Sequence, residues 1–194
     1  MLTFDFFQLV VARNPEEAVV SMHSFINKHS DDFIEYWGAP VHMFRVPSLE
    51  AFYDGFAKQT GFVKNIFTFV AEWWQLKEKD NVLLLNYADM VKDHEGSIQK
   101  IADFLGYGPY AQEEWQDILE LTSFKWMKAN ERRFEATTVW DVPPLVRGGM
   151  MRRGSSGLAR MEGLSEEMAE EIRDCGKEIL TEDAFHWLYN GGAA

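Results

Sequence analysis

The 194-residue chain is short of cysteine, of positive charge and of long apolar runs, and each shortage removes a class of function. Cys175 is the single cysteine, so no internal disulfide can form and a reducing compartment is expected. Lys and Arg total 19 against 31 Asp and Glu, a net charge of -12 that argues against general nucleic-acid binding. No apolar run is long enough to span a bilayer. Residues 2–12 are few, carry Asp5 and lack a basic start, so they do not read as a secretory leader. These features predict a cytoplasmic protein with no membrane and no nucleic-acid partner. The phosphate-binding pattern G-x-x-x-x-G-K-[ST] does not occur, since Cys175-Gly176-Lys177 ends in Glu178 and falls in a helical pattern.

Aromatic residues, by contrast, are plentiful. Hydrophobic residues make up 46% and aromatics 14%, with seven Trp and fifteen Phe, which suits a globular core in one domain. The few cations are also unevenly spread. Lys125, Lys128, Arg132, Arg133, Arg147, Arg152, Arg153 and Arg160 face only Glu131, Glu135 and Asp141 in the same stretch. Such a local excess in an acidic chain marks a small-anion site or a solvated loop balancing acidic neighbours.

The stretch 6–25 organises the rest. Leu9, Val10, Val11 and Ala12 form an unbroken apolar run, as in a parallel strand covered on both faces, and Arg13 follows at its carboxyl end. Asn14 reads as an N-cap, Pro15 as the first helical residue and Glu17 as the acid of a capping box. Val19, Met22 and Ile26, with Ala18 and Phe25, keep the spacing of one buried helix face, and Ser21 lies off it. In open α/β sheets, ligands bind beyond the carboxyl ends of strands, where helix N-termini favour anions. Arg13 is therefore placed either to hold a phosphate or to pair with a carboxylate such as Glu17.

The segment Arg13-Asn14-Pro15 followed by Ser21 resembles the second nucleotide-binding segment of the cytosolic-type sulfotransferases, which use 3'-phosphoadenosine 5'-phosphosulfate (PAPS) and release the bisphosphate PAP. Later blocks repeat the resemblance in order. A second buried strand is predicted at 81–85, after a helix at 61–79 with two apolar stripes, and is followed by Tyr87-Ala88-Asp89-Met90, similar to the family's Y-E-D-M. A helix at 97–105 ends at Gly106, another spans 111–121, and Thr122-Ser123-Phe124 with Met127-Lys128 resembles T-S-F-x-x-M-K. Met151-Arg152-Arg153-Gly154, with Gly157 after it, resembles M-R-K-G-x-x-G. Ser165 caps a last helix, and residues 185–189 are expected to dock on the core while 191–194 fray.

The resemblance implies an α/β fold, a partial P-loop-NTPase-like three-layer arrangement with a short parallel sheet flanked by many helices, over residues 1–194 as one N-terminally truncated domain. It implies that Arg13, Ser21, Arg152, Arg153 and Gly154 hold the 3'-phosphate, and that Tyr87, Thr122 and Phe124 contact the adenine. The implied cofactor is PAPS or PAP, the implied partner a small-molecule acceptor with a hydroxyl or amine, and no metal site is assigned. The family's phosphosulfate-binding T-Y-P-K-S-G-T-T-W loop with its catalytic Lys, and its catalytic His before R-N-P, have no counterpart among these residues, so no catalytic residue is assigned. The alternative is an inactive nucleotide-binding or protein-interaction module derived from a sulfotransferase. Leu164-Ser165 stands where the family's dimer motif has T-V, so the dimer is not carried over.

Overall fold

The computed structural model describes residues 6–134, 141–192 and 194. Strand β1 (Gln8–Ala12) pairs in parallel with β2 (Val82–Asn86), with Val10 opposite Leu84 and Ala12 opposite Asn86. Among the described residues these two strands are the whole sheet. Between them run α1 (Pro15–Ile26), α2 (Asp31–Trp37), α3 (Leu49–Phe52), a π-helical turn at Tyr53–Ala57, and α4 (Phe62–Trp74). After β2 come α5 (Tyr87–Lys92), α6 (His94–Leu105), α7 (Gln112–Leu121), α8 (Phe124–Ala129), α9 (Glu166–Ile179) and α10 (Glu182–Asn190).

Capping explains most of the helix starts. Ser30, Ser48, Asp93, Ser123, Ser165 and Thr181 each accept a hydrogen bond from a first-turn backbone N–H, the requirement of an N-cap. Gly106, at φ 71°, ends α6 in the left-handed conformation expected of it.

The core lies on one side of the sheet, where Val10, Ala12 and Leu84 meet Val19, Phe52, Phe67, Ile172 and Leu188. Burying a side chain such as Phe67 completely contributes about 1.5–3 kcal/mol. Helix α4 packs chiefly against α9 and α1, and Gly176 of α9 permits that approach: a Cβ there would lie 2.6 Å from the Phe67 ring. Trp187 and Leu188 of α10 are buried, so the C-terminal aromatics do dock on the core. Asn86, at the end of β2, donates to the carbonyls of Trp187 and Leu188 at 2.8 and 3.2 Å.

Four expectations need correction. Strand β1 is covered on one face only, with Leu9 and Val11 44% and 48% exposed, because α6 packs on β2 and leaves that side of β1 open. Helix α4 buries the stripe Val63, Phe67, Val70 but leaves Phe69 of the other stripe exposed. Phe25 of α1 is also exposed, and Val20 takes its place in the core. Residues 191–192 are tied rather than frayed: Gly192 donates its N–H to Asp89 Oδ2 at 2.7 Å and its carbonyl accepts from Trp187 Nε1.

Candidate functional site

Arg13 leaves the carboxyl end of β1, and Asn14 turns the chain into α1 by accepting from Glu16 N at 2.9 Å. Glu17 does not complete the expected capping box. Its carboxylate accepts from the backbone N–H of Gly157, from that of Leu158 at 3.2 Å, and from Arg13 Nε at 3.3 Å. Two distant amides and a guanidinium outcompete the single local N–H. The first turn of α1 is thereby clasped to the late glycine segment, and Arg13 is held beside it with its guanidinium 4.6 Å over the Tyr87 ring.

The late segment is positioned from its other side as well. Lys128 Nζ donates to the Arg152 carbonyl at 2.8 Å, and Met151 N donates to Glu131 Oε1 at 3.0 Å. Gly154 adopts φ 61°, and a Cβ on it would lie 2.4 Å from the Phe124 ring, so only glycine lets the backbone pass over that aromatic face. Arg152 Nη1 donates to Glu162 Oε2, while Arg153 Nη1 lies 3.0 Å from Glu162 Oε1.

These contacts enclose a cavity of about 180 Å³. Seven of the eight residues singled out from the sequence line it: Arg13, Ser21, Tyr87, Phe124, Arg152, Arg153 and Gly154. Thr122 does not. Its hydroxyl donates to the Ile118 carbonyl at 2.7 Å and lies 3.0 Å from His94 Nε2, which turns it toward α7 and α6. Three arginines against the carboxylates of Glu17 and Glu162 leave the lining one net positive charge. Cationic donors, a glycine turn and one aromatic wall are the features that accept a phosphate beside a planar ring. The volume is below the roughly 300–1,000 Å³ of a complete small-molecule pocket, so it suits one end of a ligand. Larger clefts lie at Tyr107–Trp115, away from the arginines, and beside Tyr53 and Glu171, where Glu162 forms a wall shared with the arginine cavity.

Three participants lie outside the eight site residues. Glu17 does not form its capping box, but its expected pairing with Arg13 is present at 3.3 Å. Lys128 belongs to the local cation excess and to the T-S-F-x-x-M-K block, and neither signal specifies its contact with the Arg152 carbonyl. Glu162 lies in the short irregular stretch 158–165, and only the need of two adjacent arginines for a counter-charge points to it.

The family model of the sulfotransferase domain matches residues 8–183, nearly all of the chain. The chain belongs to the sulfotransferase family. It is 30% identical to Sulfotransferase 2A1 of Rattus norvegicus over 149 residues, covering 77% of this chain and 48% of the rat protein. With Sulfotransferase 1A1 of Canis lupus familiaris it shares 30% identity over 180 residues, 89% of this chain and 57% of the dog protein. The chain thus spans about half the length of the curated relatives it matches. Among solved structures, mouse sulfotransferase SULT7A1 complexed with PAP superposes with a TM-score of 0.69 at 22% identity, covering 94% of this chain and 61% of that one. Retinol dehydratase in complex with androsterone and PAP gives the same TM-score at 24% identity, covering 91% and 48%. The α/β sulfotransferase fold is therefore shared, with its parallel sheet here reduced to β1 and β2 among the described residues. Among the described residues no helix is long and apolar enough to cross a membrane.

Proposed function

We propose that this chain supplies the 3'-phosphate and purine side of a sulfotransferase that moves a sulfuryl group from PAPS to a hydroxyl or amine of a small-molecule acceptor. The observation that carries this reading is the meeting, in one small cavity, of Arg13 from the start of the chain with Arg152 and Arg153 from its last quarter. Their guanidiniums, with the Ser21 hydroxyl, would hold the 3'-phosphate, and each arginine contact is worth about 1.5–3 kcal/mol. The Gly154 turn lets backbone come close, Phe124 offers a flat face to the purine, and Tyr87 backs Arg13. Thr122 enters this reading by resemblance alone. PAPS supplies the activated sulfuryl group, and the two solved relatives that hold PAP support the choice of nucleotide.

Isothermal titration calorimetry with adenosine 3',5'-bisphosphate against adenosine 5'-monophosphate tests the assignment. Binding of the bisphosphate at least tenfold more tightly is expected, and equal affinities overturn it.

A second reading, a nucleotide-binding module that does not itself transfer sulfuryl, draws on where the histidines sit. His94 is spent on Thr122, His23 contacts the Val46 carbonyl and His29 the Ile26 carbonyl. A sulfuryl-transfer assay on the same protein separates the two readings, because a module binds the bisphosphate without turning over PAPS.

A further inference from the structure

Arg152 and Arg153 are neighbours in an irregular segment, where no helical or strand geometry sends two consecutive side chains to one target. Both nevertheless end on one carboxylate. Glu162 closes the short 3-10 turn Arg160–Glu162, and its side chain is 9% exposed. Oε2 accepts from Arg152 Nη1; Oε1 makes an ion pair with Arg153 at 3.0 Å that is not an aligned hydrogen bond. Only Nη1 of each guanidinium is engaged by Glu162, which leaves Nε and Nη2 of both groups for a ligand.

The position of Glu162 decides between two roles for it. A carboxylate that merely filled the phosphate position until a ligand arrived would need somewhere to go. Glu162 instead forms part of the wall, lining the arginine cavity on one side and the cleft beside Leu49, Tyr53 and Met168 on the other. Pushing it off its arginines would leave a buried, uncompensated charge, which is costly. It is built to stay while the ligand binds.

We infer that Glu162 is the positioning residue of the anion cavity, the group that gathers Arg152 and Arg153 onto one phosphate and thereby sets the preference for a nucleotide carrying a 3'-phosphate. This rests on the phosphate reading of the cavity given above. Glu162→Gln keeps the shape but offers one acceptor and an NH2 that faces a guanidinium, so one arginine is released.

The test is titration of the full chain and its E162Q variant with adenosine 3',5'-bisphosphate and with adenosine 5'-monophosphate. E162Q is expected to bind the bisphosphate about tenfold more weakly, the effect of one lost charge-assisted contact, and the monophosphate within about twofold. A general loosening would weaken both nucleotides alike and so overturns the inference, as does unchanged or tighter binding of the bisphosphate. Glu162→Asp, which keeps the charge on a shorter arm, is expected to lose less; it also stands in if E162Q does not fold. Phenylglyoxal modification followed by peptide mass spectrometry gives a readout without nucleotide. The rate at Arg152, relative to Arg147, should rise several-fold in E162Q, and an unchanged ratio overturns the inference. If the unaltered chain fails to distinguish the two nucleotides, the phosphate reading fails, and the arginine reactivities alone decide whether Glu162 gathers the pair.

Discussion

Glu17, in the first turn of α1, accepts a hydrogen bond from the backbone N–H of Gly157, 140 residues further along the chain. That clasp, extended by Leu158 N and Arg13, joins the two halves of the arginine cavity. Glu17→Gln removes the charge and leaves one acceptor for three donors, which should cost about 1–3 kcal/mol. A urea titration should give a lower midpoint with an unchanged slope, and amide exchange at Gly157 and Leu158 should quicken. An unaltered midpoint with unaltered exchange would mean that the late segment is held by other contacts.

The pass of Gly154 over Phe124 predicts a size-dependent pair effect. Gly154→Ala forces a positive φ on a residue with a Cβ and drives that Cβ to 2.4 Å from the ring, so a loss of about 1–3 kcal/mol is expected. Part of this is clash and part is backbone strain. Phe124→Leu combined with Gly154→Ala should relieve the clash, so the double variant is expected to be more stable than the sum of the single changes predicts. Strict additivity in thermal unfolding would show that Phe124 yields freely.

Asn86 ties the end of the sheet to the last helix. Its side chain is buried, donates to the carbonyls of Trp187 and Leu188, and accepts from Ala88 N at 2.9 Å as the cap of α5. Asn86→Ala removes a cap and the side-chain donor of the Leu188 carbonyl, while the Trp187 carbonyl keeps the Gly191 N–H, a cost of about 1–3 kcal/mol. Because Trp187 lies 5.3 Å from Trp74, ring centre to ring centre, the change should also alter tryptophan fluorescence before global unfolding. Coincident fluorescence and far-ultraviolet transitions would contradict a local release of α10.

What the sequence discloses here follows from the range of the forces involved. Caps and periodic stripes are local, and so the starts of α1 and α9 and the turn at Gly106 are legible residue by residue. An apolar run, however, reads the same whether one face or two are covered, which is why Leu9 and Val11 were expected to be buried. Glu17 shows the same limit in the site: spacing identifies a capping acid, but the carboxylate goes to whichever donors the tertiary fold brings near. Resemblance found seven cavity residues by type and order, yet it carries no rotamer, and the Thr122 hydroxyl points to Ile118 and His94 instead. Glu162 carries no local pattern at all, because its role exists only once Arg152 and Arg153 have been brought to it.

The ion pairs on α9 give a pH dependence whose direction is fixed. Hydrogen bonding from Arg173 at 2.6 Å, aided by the charge of Arg160, holds the Glu166 carboxyl below the usual carboxylate range, and Lys177 does the same for Asp174. A carboxyl whose folded-state affinity for protons is lowered contributes stability above its unfolded pKa and loses it as pH falls through the folded one. The melting temperature should therefore decline as pH drops below about 4.5, and Glu166→Gln should decline less steeply across the same window. Both carboxylates are solvent-exposed, so salt screens them. Raising the ionic strength should accordingly shrink the difference between the two curves. A difference of undiminished size in high salt would contradict the account of these contacts as exposed ion pairs.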